Sequence, residues 1–344
     1  MTVHMITYHA VSILHGGPRT QITETARHLA PCGVRVQFFD PWTPFRPVPG
    51  DCAHIFAANI GTYHIAREIR ALGVPIVVSP ITYSTHSPGF IRRALAASRM
   101  VQKVGPGLWS DYAFCADICS WAERVLPNTE AEGELIRNGY GIPAERVRVV
   151  PNGVDERFAG GDPDLFVKEY GLKNFILNVG HIGHRRKNVL QLIRALGAID
   201  HPAVIIGRVI QGPYGDACVR EAAKYKHIRL IPGLGNDSAM LASAYAACDV
   251  FALPSLFETP GIAALEAGLA GAKIVITPHG GTRDYFGDMA TYVEPDDVRS
   301  IRNGIESALS STKGTQLREH IGSRFLWKHV AEQTADIYKE VIGR

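Results

Sequence analysis

The sequence lacks the features that mark several classes of protein. Its six cysteines include no CxxC pair, so we predict reduced, mostly buried thiols and neither a zinc site nor disulfides. No run approaches the roughly 18 apolar residues of a membrane-spanning helix, and no cluster of basic residues opens the chain. These absences predict a cytoplasmic protein without a spanning helix or a secretion signal.

Charge and glycine patterns argue against two further classes. The formal net charge of +3 at pH 7 is too small to indicate nucleic-acid binding, and the sequence shows no RRM, KH or helix-turn-helix pattern. No GxGxxG motif occurs, which argues against a nicotinamide-type dinucleotide site. What remains is a chain of 344 residues with 46% hydrophobic residues and 34 glycines. This length and composition predict an α/β protein of two domains.

Short apolar runs alternate with amphipathic segments along the chain. The alternation predicts two Rossmann-like domains, each built on a mostly parallel sheet. The polar stretch 157–164 is interpreted as the linker, so the predicted domains are residues 1–157 and 158–324. A strand is predicted at 146–150, and Thr129 with Glu132 has the spacing of a helix capping box. The last segment, 325–344, has the pattern of an amphipathic helix.

One stretch of the second half carries most of the chemistry. Residues 249–281 have the pattern of strand, polar loop, helix and strand, a βαβ unit whose ligands belong at the carboxyl ends of the strands. Pro260-Gly261 begins the helix, where unpaired amides and the helix dipole favour a phosphate. Glu258 lies in the loop and Glu266 about a turn inside the helix. Because carboxylates bind vicinal hydroxyls strongly, the unit suits a nucleotide sugar.

These residues resemble a known family. Glu258, seven residues and Glu266, followed by Gly280-Gly281, are similar to the donor-site signature of retaining GT-B glycosyltransferases, in particular family four (group 1). The runs VLPNTEAEGELI and RVRVVPNGVD, within 125–155, and the segment 174–188 match as well. The resemblance implies two Rossmann-like domains whose parallel sheets face each other across a cleft. It also implies that the helix within 325–344 packs back on the first domain.

The resemblance also implies roles for individual residues. Glu258 would contact the transferred sugar and Glu266 the ribose of the nucleotide. The first domain would be the acceptor side and the second the donor side. The backbone and loop positions that the resemblance assigns to donor binding are Gly16, Gly17, Leu234, Pro260, Gly261 and Ile262.

The chain departs from the family in the loop after the strand at 174–179. Relatives have an arginine there, followed six residues later by a lysine. This chain keeps Lys187 but has His181 in place of the arginine, and a histidine is only partly charged at neutral pH. We therefore predict that Lys187 stabilises the departing diphosphate, with Arg185 or Arg186 as the compensating cation. No role is assigned to His86, although many relatives carry a histidine nearby.

The segment 90–109 is basic, amphipathic and ends in Trp109. This pattern fits a helix lying on a membrane surface, and it fits equally an ordinary surface helix with its cations in solvent. Both interpretations stay open.

The predicted function is transfer of a sugar, with retention, from a nucleotide diphosphate sugar to an acceptor hydroxyl. Catalysis would depend on Glu258 and Lys187, with no cofactor and no metal. The acceptor would be a glycan or a lipid-linked molecule, in glycan, glycolipid or surface polysaccharide synthesis on the inner face of the membrane. Two alternatives remain: a nucleotide-sugar epimerase on the same fold, and a non-catalytic homologue that binds a nucleotide or glycan.

Overall fold

A computed structural model describes residues 1–13, 16–105 and 110–343. His15, which precedes Gly16-Gly17, and Trp109, which ends the basic segment 90–109, lie outside the described residues. The chain forms two compact units, one of Met1–Gly153 with Trp327–Arg344 and one of Val154–Leu326. Across the described ranges, no helix is long and apolar enough to cross a membrane. All six cysteines are free, and five of them are buried.

The first unit is built on a parallel five-stranded sheet. Its three inner strands are short and buried almost throughout, as expected where helices cover both sides of a sheet. The strand order is β2-β1-β3-β4-β5. The strands are β1 (Thr2–Ile6), β2 (Arg35–Phe38), β3 (Cys52–Phe56), β4 (Ile76–Ser79) and β5 (Arg124–Val125). The helices are α1 (Gly17–Leu29), α2 (Ile60–Ala71), α3 (Pro88–Val104), α4 (Asp111–Trp121) and α5 (Glu130–Glu134).

Two local expectations for the first unit are wrong. Residues 146–150 form no strand; they run beside β5 with one isolated bridge, Val125 to Val147, because Pro127 has no N–H to extend the ladder. The capping box is only half formed. Thr129 accepts the Glu132 N–H at 3.0 Å, but the Glu132 carboxylate accepts the amides of Thr82 and Asn128, each at 2.7 Å. Glu132 therefore ties the loop after β4 to the loop after β5.

The second unit is built on a parallel six-stranded sheet in the order β11-β10-β9-β6-β7-β8. The strands are β6 (Ile176–Val179), β7 (Ala203–Ile206), β8 (Ile228–Ile231), β9 (Val250–Leu253), β10 (Lys273–Ile276) and β11 (Thr291–Tyr292). The helices are α6 (Pro163–Tyr170), α7 (Val189–Leu196), α8 (Pro213–Ala222), α9 (Ala239–Ala247), α10 (Ile262–Leu269), α11 (Thr282–Phe286), α12 (Val298–Ser310) and α13 (Gln316–Arg324). The two parallel sheets confirm the predicted α/β class.

The stretch interpreted as a linker, 157–164, is instead part of the second unit. It contains most of a 3-10 helix, Glu156–Gly160, and the start of α6. Phe158 is buried in the core of that unit. The chain passes from one unit to the other between Gly153 and Val154, where the Val154 N–H donates to the Phe325 carbonyl at 2.8 Å.

The final helix, α14 (Trp327–Ile342), belongs to the first unit. It packs against α1 and the sheet with Trp327, Tyr338 and several aliphatic residues buried. Tyr338 Oη lies 2.6 Å from Nδ1 of His54 on β3, and the other ring nitrogen of His54 lies 2.9 Å from Ser79 Oγ on β4. A buried polar chain therefore connects the last helix to two central strands.

Candidate active site

The site lies in the second unit, at the edge of the sheet where β9 and β10 end. These strands are parallel neighbours, so the loops that follow them meet at one edge. The Glu258 N–H donates to the His279 carbonyl at 3.1 Å, and the Gly281 N–H donates to the Glu258 carbonyl at 2.9 Å. Glu258 therefore sits on a short extension of the sheet and not on an unsupported loop.

Gly280 makes this close pairing possible. Its φ is +96°, a left-handed conformation that side chains disfavour. A Cβ at this position would lie 2.0 Å from the Glu258 carbonyl oxygen. The glycine pair after β10 thus fixes where the Glu258 backbone lies.

The Glu258 carboxylate is buried and paired with two cations. Its Oε1 accepts from Lys187 Nζ at 2.6 Å and from Ser255 Oγ at 2.7 Å, and its Oε2 lies 3.2 Å from Nη1 of Arg186. Burial alone would raise the pKa of Glu258, but Lys187 and Arg186 hold it below its usual value. Glu258 is therefore ionised at neutral pH although only 4% of its surface is exposed.

The two cations are positioned by the loop between β6 and α7. Arg186 also donates to the Phe257 carbonyl at 3.1 Å, and its own carbonyl accepts the Leu256 N–H at 2.8 Å. Asn188, buried and left-handed with φ +55°, donates to the carbonyls of Pro254 and Pro295 at 3.0 and 2.7 Å. These bonds tie the basic loop to the loops after β9 and β11, so Lys187 and Glu258 meet in a defined geometry.

Glu266, on α10, is buried among neutral partners. Tyr245 Oη donates to its Oε2 at 2.7 Å, and Asn236 Nδ2 donates to its Oε1 at 3.0 Å. Arg157 donates in turn to Asn236 Oδ1 at 3.0 Å. Burial raises the pKa of Glu266 to about 7, although hydrogen bonds from Tyr245 and Asn236 favour the ionised form. The pKa of Glu266 is thus raised by burial, whereas the pKa of Glu258 is lowered by its two cations.

The N-terminus of α10 lies between the two carboxylates in sequence. Gly261 precedes the helix with φ +73° and caps it without a side-chain hydrogen bond. Its carbonyl accepts the amides of Ala264 and Leu265 at 2.7 and 3.2 Å, which begins the helical pattern. The amides of Ile262 and Ala263 precede the first i−4 bond, so they are the natural donors to an anion.

Two sequence families match the chain. One, described as Glycosyltransferase Family 4, matches residues 51–158, and the other, described as Glycosyl transferases group 1, matches residues 166–324. The chain is a group 1 glycosyltransferase with the GT-B fold. The second match includes the basic loop and both carboxylates described above.

Relatives of this glycosyltransferase include proteins of known and unknown activity. An uncharacterised glycosyltransferase of Methanocaldococcus jannaschii is 28% identical over 64% of this chain and 62% of its own length. The MMP alpha-(1->4)-mannosyltransferase of Mycolicibacterium hassiacum is 24% identical over 88% of this chain and 78% of its own. The structure of Anabaena HepE in complex with UDP-glucose is similar in fold, with a TM-score of 0.70 at 15% identity over 98% of this chain and 99% of that one.

The glycosyltransferase brings only some of the predicted site residues together. Lys187, Arg186 and Glu258 are in direct contact. Arg185 turns away, with its guanidinium 5.1 Å from the centre of the Tyr214 ring. His181 is half-buried in the same loop.

Three further residues are predicted to bind the donor. Leu234 packs against the core of the second unit. Gly16 and Gly17 belong to the first unit, where Gly16 caps α1 and Gly17 is its first residue.

Sequence reasoning missed the neutral partners of the glycosyltransferase's carboxylates. Ser255 stands only three residues before Glu258 and reaches it directly. Tyr245 is the one hydroxyl-bearing aromatic residue in the apolar helix α9, a signal that its Oη needs a buried partner. Asn236 and Arg157 offer no comparable signal, because they lie in separate polar segments.

Proposed function

We propose that the protein transfers a sugar from a nucleotide diphosphate sugar to an acceptor hydroxyl with retention of configuration. The observation that carries this proposal is the pair of buried carboxylates, Glu258 and Glu266, one neutralised by cations and one held by neutral donors. The N-terminus of α10 lies between them in the chain. Sugar, diphosphate and ribose would each have a chemically suited partner.

Glu258 suits the transferred sugar. An ionised carboxylate offers about four acceptor positions, and Lys187, Arg186 and Ser255 occupy three of them. One position remains for a sugar hydroxyl, and a bond from a hydroxyl to an ionised acceptor is among the stronger hydrogen bonds.

Glu266 suits the ribose. Its two neutral partners leave room for a pair of vicinal hydroxyls. The two hydroxyls of a diol donate hydrogen bonds, and an ionised carboxylate accepts them better than a protonated one. Binding a diol would therefore favour the ionised form of Glu266. Ribose binding should therefore lower the pKa of Glu266 from its raised value of about 7.

The diphosphate would bind the amides of Ile262 and Ala263, with Lys187 and Arg186 supplying positive charge. These groups are already oriented before reaction and would stabilise charge as it develops on the departing diphosphate. We therefore propose that transfer needs no metal and no cofactor. The Anabaena structure in complex with UDP-glucose makes a uridine nucleotide the first donor to test.

The first unit would supply the acceptor side, with Gly16 and Gly17 near the reacting groups. A glycan or lipid-linked acceptor, processed at the inner face of a membrane, is the class we propose. The Mycolicibacterium relative, described as a mannosyltransferase, supports transfer of a hexose.

Calorimetric titration of UDP into the full-length protein at pH 6 and pH 8 tests the assignment of the two carboxylates. UDP should bind wild type more tightly at pH 8, because Glu266 must ionise to accept the ribose hydroxyls. The Glu266→Gln variant should lose that gain; the ionisation of UDP itself is common to both proteins and cancels. Glu258→Gln should keep UDP affinity and lose transfer.

Two results would contradict these roles. If the UDP affinity of Glu266→Gln depends on pH as strongly as that of wild type, Glu266 does not bind the ribose. Transfer at the wild-type rate by Glu258→Gln would remove Glu258 from the sugar. Turnover on UDP-, GDP- and ADP-sugars with and without a chelator, with the anomeric product assigned by NMR, tests the donor, the metal and the retention.

A further inference from the structure

A cavity of about 380 Å³ opens on the first unit, between α3, α4 and the loop 139–146. This volume lies within the range of about 300–1,000 Å³ that is typical of small-molecule sites. Three arginines line it, Arg92, Arg99 and Arg146, and no lining residue is Asp or Glu. The cavity is thus cationic, and its residues are separate from those of the proposed donor site.

Arg92 and Arg99 lie on α3, Arg146 lies in the loop 139–146, and two of the three are held in place. Arg92 on α3 donates from Nη2 to the Asn138 carbonyl at 2.7 Å, and Arg146 donates from Nη1 to the Ser120 carbonyl at 3.4 Å. A guanidinium has five N–H donors, so each of these residues keeps donors for a ligand. In the part of the chain that the structure describes, Arg99 forms no ion pair or side-chain hydrogen bond.

The carboxylate of Asp117 lies near the cavity but forms no ion pair with its arginines. Asp117 on α4 is close enough for Arg99 to influence it, yet burial raises the pKa of Asp117 overall. Its Oδ2 instead accepts from Tyr63 Oη at 3.4 Å. In the described part of the chain, none of the three arginines that line the cavity forms an ion pair with a carboxylate.

The rest of the lining is apolar. Leu95, Ala116 and Ile142 are buried beneath the arginines and line the same cavity. An inorganic anion alone would leave this surface uncovered. A ligand with a charged end and an apolar body would satisfy both parts.

We infer that this cavity binds a phosphate ester, with the phosphate on Arg92, Arg99 and Arg146 and the organic group on the apolar floor. Arginine forks match phosphate oxygens in pairs, which makes phosphate the anion that three guanidinium groups select best. The ester could come from a lipid headgroup or from a free phosphorylated metabolite. The site does not depend on the proposed transfer reaction.

The test compares three proteins: wild type, the double variant Arg99→Gln/Arg146→Gln, and the control Arg93→Gln. Arg93 is exposed on the same helix but does not line the cavity. Dihexanoyl phosphatidic acid, used as a monomer, is titrated calorimetrically into each full-length protein, with inorganic phosphate in parallel. Wild type and Arg93→Gln should bind the ester with equal affinity, at least tenfold tighter than inorganic phosphate. The double variant should lose at least tenfold.

Other results would overturn the inference. Equal binding by wild type and the double variant would show that Arg99 and Arg146 do not bind the ester. An equal loss of affinity in Arg93→Gln would show that binding depends only on general surface charge. Equal affinity for inorganic phosphate and the ester would show that the apolar residues of the cavity do not contribute to binding. Phosphatidylcholine vesicles with and without phosphatidic acid separate the sources: a lipid source requires vesicle binding that depends on Arg99 and Arg146 but not on Arg93. Melting curves and unchanged UDP affinity show that each variant is folded.

Discussion

At the scale of single residues, the ionised state of Glu258 depends on its neighbours. A buried carboxylate without partners would take up a proton, but two cations and a hydroxyl surround this one. Lys187 is the closest of the three, at 2.6 Å from Oε1. Lys187 therefore has a second task beside the diphosphate role predicted from sequence, because it also keeps Glu258 charged.

Lys187→Ala should lower kcat/KM for transfer by about one to two decades. Losing a charge-assisted hydrogen bond costs roughly 1.5–3 kcal/mol, and the pKa of Glu258 should rise when its nearest cation is gone. The variant should therefore work better at higher pH than at lower pH, relative to wild type. Steady-state kinetics between pH 6 and pH 9 measure both effects. Lys173→Ala, an exposed lysine of the same unit, serves as the control; a Lys187→Ala enzyme as active as this control would contradict the assignment.

Single residues also show what sequence reasoning could reach. Glu258, Glu266 and Lys187 stand out because their spacing relative to glycines and strands is local. The contact of Asn236 with Glu266 joins residues 30 positions apart, so no local pattern reveals it. The choice between Arg185 and Arg186 depended on the direction of each side chain in a short 3-10 turn, which the sequence does not specify.

At the scale of elements, the contact between Gly280 and the Glu258 backbone positions Glu258 between the ends of β9 and β10. Both Gly280 and Gly271 have left-handed backbones, with φ of +96° and +95°. A Cβ at Gly271 would meet nothing within 4 Å, whereas one at Gly280 would meet the Glu258 carbonyl oxygen at 2.0 Å. The two positions therefore separate backbone strain from displacement of Glu258.

Both Gly280→Ala and Gly271→Ala should lose about 1–2 kcal/mol of stability from the left-handed conformation. Only Gly280→Ala should also push Glu258 out of place and reduce transfer by more than tenfold. Unfolding by urea and steady-state kinetics on the same preparations measure the two effects. If Gly271→Ala loses as much activity as Gly280→Ala, the contact with Glu258 does not position the site.

Elements with a clear period were predicted well. The strand predicted at 174–179 ends at the same residue as β6, Ile176–Val179, and the strand, helix and strand predicted within 249–281 are present as β9, α10 and β10. The failures have physical causes. Pro127 interrupts the hydrogen-bond ladder beside 146–150. The stretch 157–164 is mostly polar, but its one large buried apolar residue, Phe158, fixes it in the core of the second unit.

At the scale of the whole molecule, the sequence pattern was sufficient for two parallel-sheet domains, because alternating strands and helices leave few other arrangements. The boundary between the two units, after Gly153, was harder to predict from the sequence. Gly153 contacts the Trp327 ring so closely that a Cβ would lie 2.4 Å from it. That contact joins positions far apart in the chain, so only the folded first unit reveals it.

The last prediction concerns how the first unit responds to acid. Burial lowers the pKa of His54 to about 3, whereas an unfolded histidine titrates near about 6.5. Between these values the unfolded chain binds a proton that the folded unit excludes, so stability is lost as pH falls. The loss should amount to about 2 kcal/mol between pH 7 and pH 5.

The four tryptophans, Trp42, Trp109, Trp121 and Trp327, all fall within the residue ranges of the first unit, so tryptophan fluorescence reports its unfolding. Urea unfolding of wild type at several pH values should show the loss, and His54→Gln should show a flatter dependence, whatever its absolute stability. His64→Gln, at an exposed position on α2, should keep the wild-type slope. Parallel slopes for wild type and His54→Gln would mean that other groups set the acid sensitivity. The polar chain from α14 through His54 to β4 would then not require a neutral imidazole.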